Sequence, residues 1–342
     1  MTKATLLVAL SLSLCGCRAG ESTDLLSFTG PTMGTTWIVK AAIEPEARGD
    51  GTRLDSDIRD LLTRINVLVS TWDPESELSR FNRSASLEPF PVAPETFDLF
   101  RWAVTLARET DGALDVTVGR LVDAWGFGSG ETPPSPPDEE TVARLLDDTG
   151  VDHLELDPDG QWIRKRRPDL RCDFSAFAPG FAADRIAALL EQRGFGSFLI
   201  DVGGELVARG RNQTGLPWQV AIERPQKERR AVARLVPLTN AAIATSGDYR
   251  NYREVEGERV THILDPATGR PIRHHLASVT VIDALGVRAD GLATALMVLG
   301  PEHGMALAER LGLAALLIVR KEAGDFEQRA SSAFAALTEE QS

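Results

Sequence analysis

Apolar residues recur at Leu54, Ile58, Leu61, Leu62, Ile65 and Leu68, a spacing of three and four that predicts an amphipathic helix over Leu54–Val69. Pro94 opens a second helix, with Phe97, Phe100, Val104 and Ala107 turned inward and an end near Asp111-Gly112. Thr141–Leu146, Gly180–Gln192, Asp290–Leu299 and Pro301–Leu311 read as further helices. Alternating or continuous apolar runs predict strands at Thr36–Ala42, Ser197–Val202, Glu205–Arg209, Trp218–Glu223, Ala233–Leu238, Ala242–Ala244, Val260–Leu264, Ala277–Ile282 and Ala314–Val319. Leu154–Leu156 and Gln161–Ile163 flank Pro158-Asp159-Gly160 and read as a hairpin. The polar runs Ser70–Phe81 and Ser129–Glu140 are expected to be loops, and the chain from Ala330 to fray. Helices interleaved with runs of consecutive strands, without an internal repeat, predict an α+β fold.

The chain has 342 residues, 43% of them hydrophobic and 25% charged, enough for one large domain or two. Its net charge of −13 argues against nucleic acid as a partner, because no basic excess is available to neutralise phosphates. An anionic ligand would need a metal ion or backbone N–H groups instead. The first twenty residues read as a targeting segment. Lys3 gives a positive start, Thr5–Leu14 an apolar run, and Leu14-Cys15-Gly16-Cys17 resembles a bacterial lipobox with Cys17 as the lipidated residue. The run is too short to span a bilayer; acyl chains on Cys17 would hold the protein at a membrane surface. The alternative is an ordinary secretory signal. Beyond that segment Cys172 is the only cysteine, so no internal disulfide is available, and the neighbouring Asp173 disfavours a thiolate. Cys172 is therefore expected in the core.

Candidate chemistry concentrates between Thr245 and Thr294. Thr245-Ser246-Gly247-Asp248-Tyr249-Arg250, Thr261-His262-Ile263-Leu264-Asp265-Pro266 and Arg288–Thr294 place hydroxyls, a histidine and carboxylates on turns between apolar runs. Asp290 and Thr294 stand four apart and share a helix face. They offer two hard oxygen ligands suited to Mg²⁺ or Ca²⁺, or else Asp290 caps the helix and Thr294 is solvated. Asp173–Asp184 leads through a turn of small residues into a helix start, which favours an anion or is capped locally by Asp173 or Ser175. Asp115 interrupts an apolar alternation, as a solvated strand position or a ligand-binding carboxylate. His153, His274, His275 and His303 lack metal-ligand spacing.

Eight segments in order resemble the FAD:protein FMN transferase family, the ApbE-type flavin transferases. They are GPTMGTTW (30–37), STWDPESELSRFN (70–82), GALDVTVGRLVDAWGFG (112–128), DFSAFAPGFAADR (173–185), DVGGELVARG (201–210), ATSGDYRNY (244–252), THILDPATGRP (261–271) and ADGLATALMVLGPEHG (289–304). The resemblance implies an α+β fold with a T-fold-like core of mixed or antiparallel sheets and packed helices. It implies a metal-dependent enzyme, using Mg²⁺ or Ca²⁺, that moves FMN from FAD to a threonine hydroxyl of an acceptor protein and releases AMP. The acceptor would be a periplasmic domain of a respiratory or redox complex, such as a redox-driven sodium pump subunit, and the enzyme would be lipid-anchored on the periplasmic face of a bacterial membrane. The domain division is then a signal peptide over 1–16, a lipidated tether over 17–27, a transferase domain over 28–329 and a polar tail over 330–342.

Carried over by motif, the flavin contacts fall on Met33, Trp72, Ala113, Leu114, Asp115, Asp173, Pro179 and Ile263. The metal positions fall on Ala176 (through its carbonyl), Asp290, Ala293 and Thr294, and the catalytic histidine on His262. The chain departs from the family pattern at Pro179, where a lysine is usual. It also has Trp72 for tyrosine, Gly291 for alanine, and Ala293 where some members carry an acid. Two other readings remain open at this point: an FAD pyrophosphatase giving FMN and AMP, and a non-catalytic FAD-binding lipoprotein.

Overall fold

The computed structural model describes residues 24–43, 51–130, 132–133, 135–226, 231–249, 252–255, 258–321 and 325–339. The expected signal peptide and Cys17 lie outside them. In chain order, β1 (Asp24–Thr32) and β2 (Thr35–Ile43) form a hairpin, followed by α1 (Gly51–Val69), α2 (Glu77–Arg83), β3 (Phe90–Pro91) and α3 (Pro94–Glu109). Then come α4 (Gly119–Ala124), α5 (Glu139–Leu146), β4 (Leu154–Asp157), β5 (Trp162–Lys165) and α6 (Ala178–Gln192). A run of strands follows: β6 (Phe198–Val202), β7 (Glu205–Arg209), β8 (Trp218–Glu223), β9 (Val232–Leu238) and β10 (Ala241–Gly247). Two short pairs, β11 (Tyr252–Val255) with β12 (Glu258–Thr261) and β13 (Leu264–Asp265) with β14 (Arg270–Pro271), precede β15 (Leu276–Asp283). The chain ends with α7 (Gly286–Leu311), β16 (Ala314–Arg320), β17 (Phe326–Ala330) and α8 (Ser332–Glu339).

The expected α+β class holds. Eight strands form one sheet in the order β1-β2-β6-β7-β10-β15-β16-β17, every neighbour antiparallel. Its central strands are apolar on both faces because both faces are covered. Ala315, Leu317 and Val319 of β16 face the main core beneath α1, α6 and α7, whereas Ala314, Leu316 and Ile318 face a second core under the β8–β9 ribbon and α8.

Four expectations need correction. The polar run Ser70–Phe81 is not all loop. Ser76 accepts a hydrogen bond from Ser79 N at 3.0 Å and caps α2, an N-terminal signal masked by the polar composition around it. The tail from Ala330 to Glu339 does not fray. Ser331 accepts from Phe334 N and starts α8, and Phe334 is fully buried in the second core beneath the Arg234 guanidinium. Val260–Leu264 is not one strand, since β12 ends at Thr261 and β13 begins at Leu264, leaving His262 and Ile263 at the break. Last, the helix expected from Asp290 begins four residues earlier, at Gly286. Its division from the Pro301 helix is as expected, at Gly300, where φ is 77° and ψ −176°.

The early start of α7 has a tertiary cause. Neither α6 nor α7 has a side-chain cap of its own; each is capped by the other. Asp184 of α6 accepts from Gly286 N and Val287 N at 2.7 and 2.9 Å, and Asp290 of α7 accepts from Gly180 N at 3.0 Å. Such closeness needs glycine at the crossing. A Cβ on Gly180 would lie 2.3 Å from Gly286 O, and one on Gly286 2.6 Å from Gly180 O. Because these contacts are backbone, neither can yield by rotating a side chain. Replacing Gly180 with alanine is expected to destabilise the fold by about 2 kcal/mol or more, read as a lower midpoint in chemical denaturation, with Ala188→Gly at a partly exposed position of the same helix as a control for helix propensity.

Candidate active site

The α6–α7 crossing sets the floor of a cavity of about 520 Å³. The Asp290 carboxylate, 7% exposed, is fixed there on the N-terminus of α6. Burial pushes its pKa well up, and the charge of Glu205 adds to that rise; the Gly180 N–H acts in the opposite sense. Asp184 is raised by burial too, and its two backbone donors oppose the shift. One turn beyond Asp290, the Thr294 hydroxyl lies 2.9 Å from Ser246 Oγ and 3.5 Å from the Ala176 carbonyl, to which it donates. Ala176 belongs to the turn just before α6. A carboxylate, two hydroxyls and a carbonyl therefore converge where α6, α7 and the end of β10 meet. This all-oxygen donor set fits a hard divalent cation. Among the described residues no group of three His, Cys, Asp or Glu side chains gathers as a metal site, so a cation here would rely on the hydroxyls and the carbonyl.

Ala293 does not border the cavity; it is fully buried in the main core. At Gly291 a Cβ would meet only the tips of the Leu106 and Leu114 side chains, at 2.7 and 3.1 Å, so an alanine there would need those tips to shift. Thr245 ties β10 to β15 through Thr280 Oγ1 at 2.8 Å. Asp248, one of the carboxylates singled out in the sequence, is held by Arg320 of β16, whose Nη1 donates to Oδ2 at 2.7 Å, and it anchors the Thr245–Tyr249 segment.

A second wall comes from two loops. Asp115 is not on a strand face. It accepts from Thr117 N at 2.7 Å and Val151 N at 3.1 Å, organising the loop that carries Ala113 and Leu114 to the cavity. Burial raises its carboxyl despite those donors. Asp173 joins the loops, its N donating to Val116 O at 2.7 Å while its carboxylate accepts from Ser175 N at 2.8 Å. Trp72 stands 71% exposed at the mouth. Its backbone N–H is fixed by Ser70 Oγ, leaving the indole face open for stacking. His262 and Ile263, at the β12–β13 break, complete the lining, with the Phe127 ring edge-on to His262 at 6.3 Å.

Six of the eight flavin positions carried over from the sequence thus border one cavity, together with His262, Ala176, Asp290 and Thr294. Met33 and Pro179 do not border it. Met33 forms the β1–β2 turn with Gly34, at φ 47° and 70°, and packs on the main core. Pro179 occupies the first turn of α6, where a missing N–H costs the helix nothing. Residue-by-residue reading missed Glu205, which follows the Gly203-Gly204 turn into the cavity wall, and the strand residues Val220–Glu223. The glycine pair marked the turn but could not say what it faces. Cys172 is fully buried and its thiol is pushed far up by burial, consistent with its expected place in the core.

The ApbE family model matches residues 33–317. Over 330 residues the chain is 43% identical to the FAD:protein FMN transferase of Vibrio cholerae serotype O1, spanning 96% of this chain and 97% of that protein. It is 40% identical over 336 residues to the FAD:protein FMN transferase of Escherichia coli strain K12, spanning 96% and 95%. Among solved structures, the flavin transferase ApbE from Vibrio cholerae superposes with a TM-score of 0.84 at 41% identity, covering 92% of this chain and 99% of that one. The apo form of Pseudomonas stutzeri flavinyl transferase ApbE gives a TM-score of 0.85 at 40% identity, covering 92% and 97%. With the match running through every segment that builds the cavity, this chain belongs to the ApbE family.

Proposed function

We propose that this chain is an FAD:protein FMN transferase, moving FMN from FAD to a threonine hydroxyl of an acceptor protein and releasing AMP. The observation that carries the reading is the convergence, in one cavity, of the oxygen cluster at Asp290, Thr294 and Ala176 with His262 and an open aromatic face at Trp72. In the reaction the threonine Oγ bonds to the phosphorus of the FMN half. The bond from that phosphorus to the bridging oxygen breaks, and AMP departs with that oxygen. His262 accepts the hydroxyl proton. Asp115 and Asp173 order the loops against which FAD is positioned, and Trp72 offers its face for stacking on a ring of the flavin or the adenine. Asp290, Thr294 and the Ala176 carbonyl would hold Mg²⁺ or Ca²⁺. When bound, that ion supplies the positive charge against the pyrophosphate that a chain of net charge −13 lacks. The same reading takes the enzyme to the periplasmic face of a bacterial membrane, anchored through Cys17.

Incubation with FAD, Mg²⁺ and a periplasmic acceptor domain tests the reaction by assay of AMP, free FMN and protein-bound flavin fluorescence. Transfer yields AMP and bound flavin in equal amounts. Free FMN in place of bound flavin would indicate a pyrophosphatase, and bound FAD without AMP a carrier. Asp290→Asn keeps an oxygen for the Gly180 N–H but removes the charge. It is expected to fold normally and to lose metal-dependent transfer; normal flavin loading by this variant would remove Asp290 from the cation site. His262→Ala is expected to bind FAD normally and to slow single-turnover transfer by about 10²–10⁴-fold, whereas an unchanged rate would remove it from the chemistry. Cys17→Ser is expected to abolish palmitate incorporation and membrane fractionation, and retention of both would refute the anchor.

A further inference from the structure

The β8–β9 ribbon stands apart from the large sheet as a two-stranded sheet of its own, so the outer edge of each strand has no strand partner among the described residues. Four consecutive residues of β8, Val220 to Glu223, border the cavity, and none of β9 does. Side chains along a strand alternate between its faces. A cavity that touches four in a row therefore meets the strand along its edge, and here that is the edge turned away from β9.

Pro237 tells which backbone groups look out from that edge. It pairs with Gln219 and has no N–H to exchange, so this is a pair without mutual hydrogen bonds. Pairs of that kind recur every second residue. Ala221, opposite Leu235, therefore also points its N–H and C=O away from β9 and toward the cavity. Its methyl side chain leaves the approach open. Val220 and Ile222, on the other face, are buried in the second core, which includes Ile243 of β10. Ile243 and Ser246 of β10 also border the cavity. On the outer face of the ribbon, across β8 from this edge, Leu235 and Val232 of β9 are 58% and 59% exposed.

We infer that the outer edge of β8 is the docking strand for the acceptor protein, whose hydroxyl-bearing segment adds to it in extended form as a third strand; the inference rests on the transferase reading above. A strand added there lies about 4.8 Å from β8. Its side chain opposite Val220 or Ile222 shares their face and points toward β10, the wall on which Ser246 meets Thr294. Its neighbours point outward on the same side of the ribbon as Leu235 and Val232 of β9, apolar surface that the body of a folded acceptor covers. Backbone pairing supplies affinity with little dependence on acceptor sequence, and the inward position selects the side chain that can reach the phosphorus.

The test uses the full enzyme with FAD, Mg²⁺ and two acceptors: the periplasmic flavin-acceptor domain of a redox-driven sodium pump subunit, and a synthetic peptide spanning its acceptor threonine. Ala221→Pro deletes the outward N–H and no bond to β9. The proline variant is expected to raise the KM for both acceptors about tenfold, the effect of one lost hydrogen bond, with FAD affinity unchanged. Should the proline variant misfold, the wild-type enzyme with peptides N-methylated one residue at a time keeps the question open to an answer, because strand pairing predicts that transfer falls at alternate positions. Equal KM values for the wild type and the proline variant, or N-methylation effects without a two-residue period, would overturn the inference while leaving the transferase reading intact. Failure of the wild type to label either acceptor would overturn both.

Discussion

Where α6 crosses α7, two helix N-termini each present unpaired N–H groups and a partial positive charge to a carboxylate of the opposite helix. Asp184 satisfies the start of α7 and Asp290 the start of α6. The exchange needs the two backbones almost in contact, which Gly180 and Gly286 allow. Much of the site follows from it. It fixes Asp290 in a buried position, brings Thr294 one turn later to the Ala176 carbonyl, and turns the end of α7 that carries them toward β10. A carboxylate that a cation could use is thus also a structural cap, so its position is set before any ligand arrives.

The sheet supplies the other constraint. Its central strands are buried on both faces, which leaves the functional groups to strand ends and breaks: Ser246 at the end of β10, Glu205 at the start of β7, His262 between β12 and β13. The ion pair from Arg320 to Asp248 spans from β16 to the end of β10 and steadies that end. On the far side of the sheet, α8 and the β8–β9 ribbon close the second core, and the ribbon edge reaches around to the cavity. A rigid sheet with chemistry at its margins suits a reaction in which positioning and charge placement do most of the work.

Local sequence signals carried most of the fold. The amphipathic spacing of Leu54–Val69 and the Pro94 start gave α1 and α3 to within a few residues, because one buried face per helix writes a period into the chain. Gly300-Pro301 marked the division of α7 through backbone chemistry alone. The errors share a different origin. The α7 start was misplaced because its cap lies 102 residues away at Asp184, and Asp290 resembled a local cap while serving a distant helix. α8 was missed because its apolar face is short: Phe334 is its one fully buried hydrophobic side chain, with Ala333 and Leu337 only partly buried against the second core.

The motifs, and through them the family and the residues to inspect, were legible in the chain by itself, since residue type and spacing are local properties. Only the tertiary structure decided what those residues face. It set Asp115 and Asp173 to organising loops, gave Asp248 to Arg320, left Met33 and Pro179 off the cavity wall, and brought in Glu205 and the edge of β8. Those assignments depend on contacts between segments far apart in sequence. A hydrogen bond from residue 180 to residue 290 leaves no mark on the neighbours of either, so it becomes visible only when the helices that carry them cross.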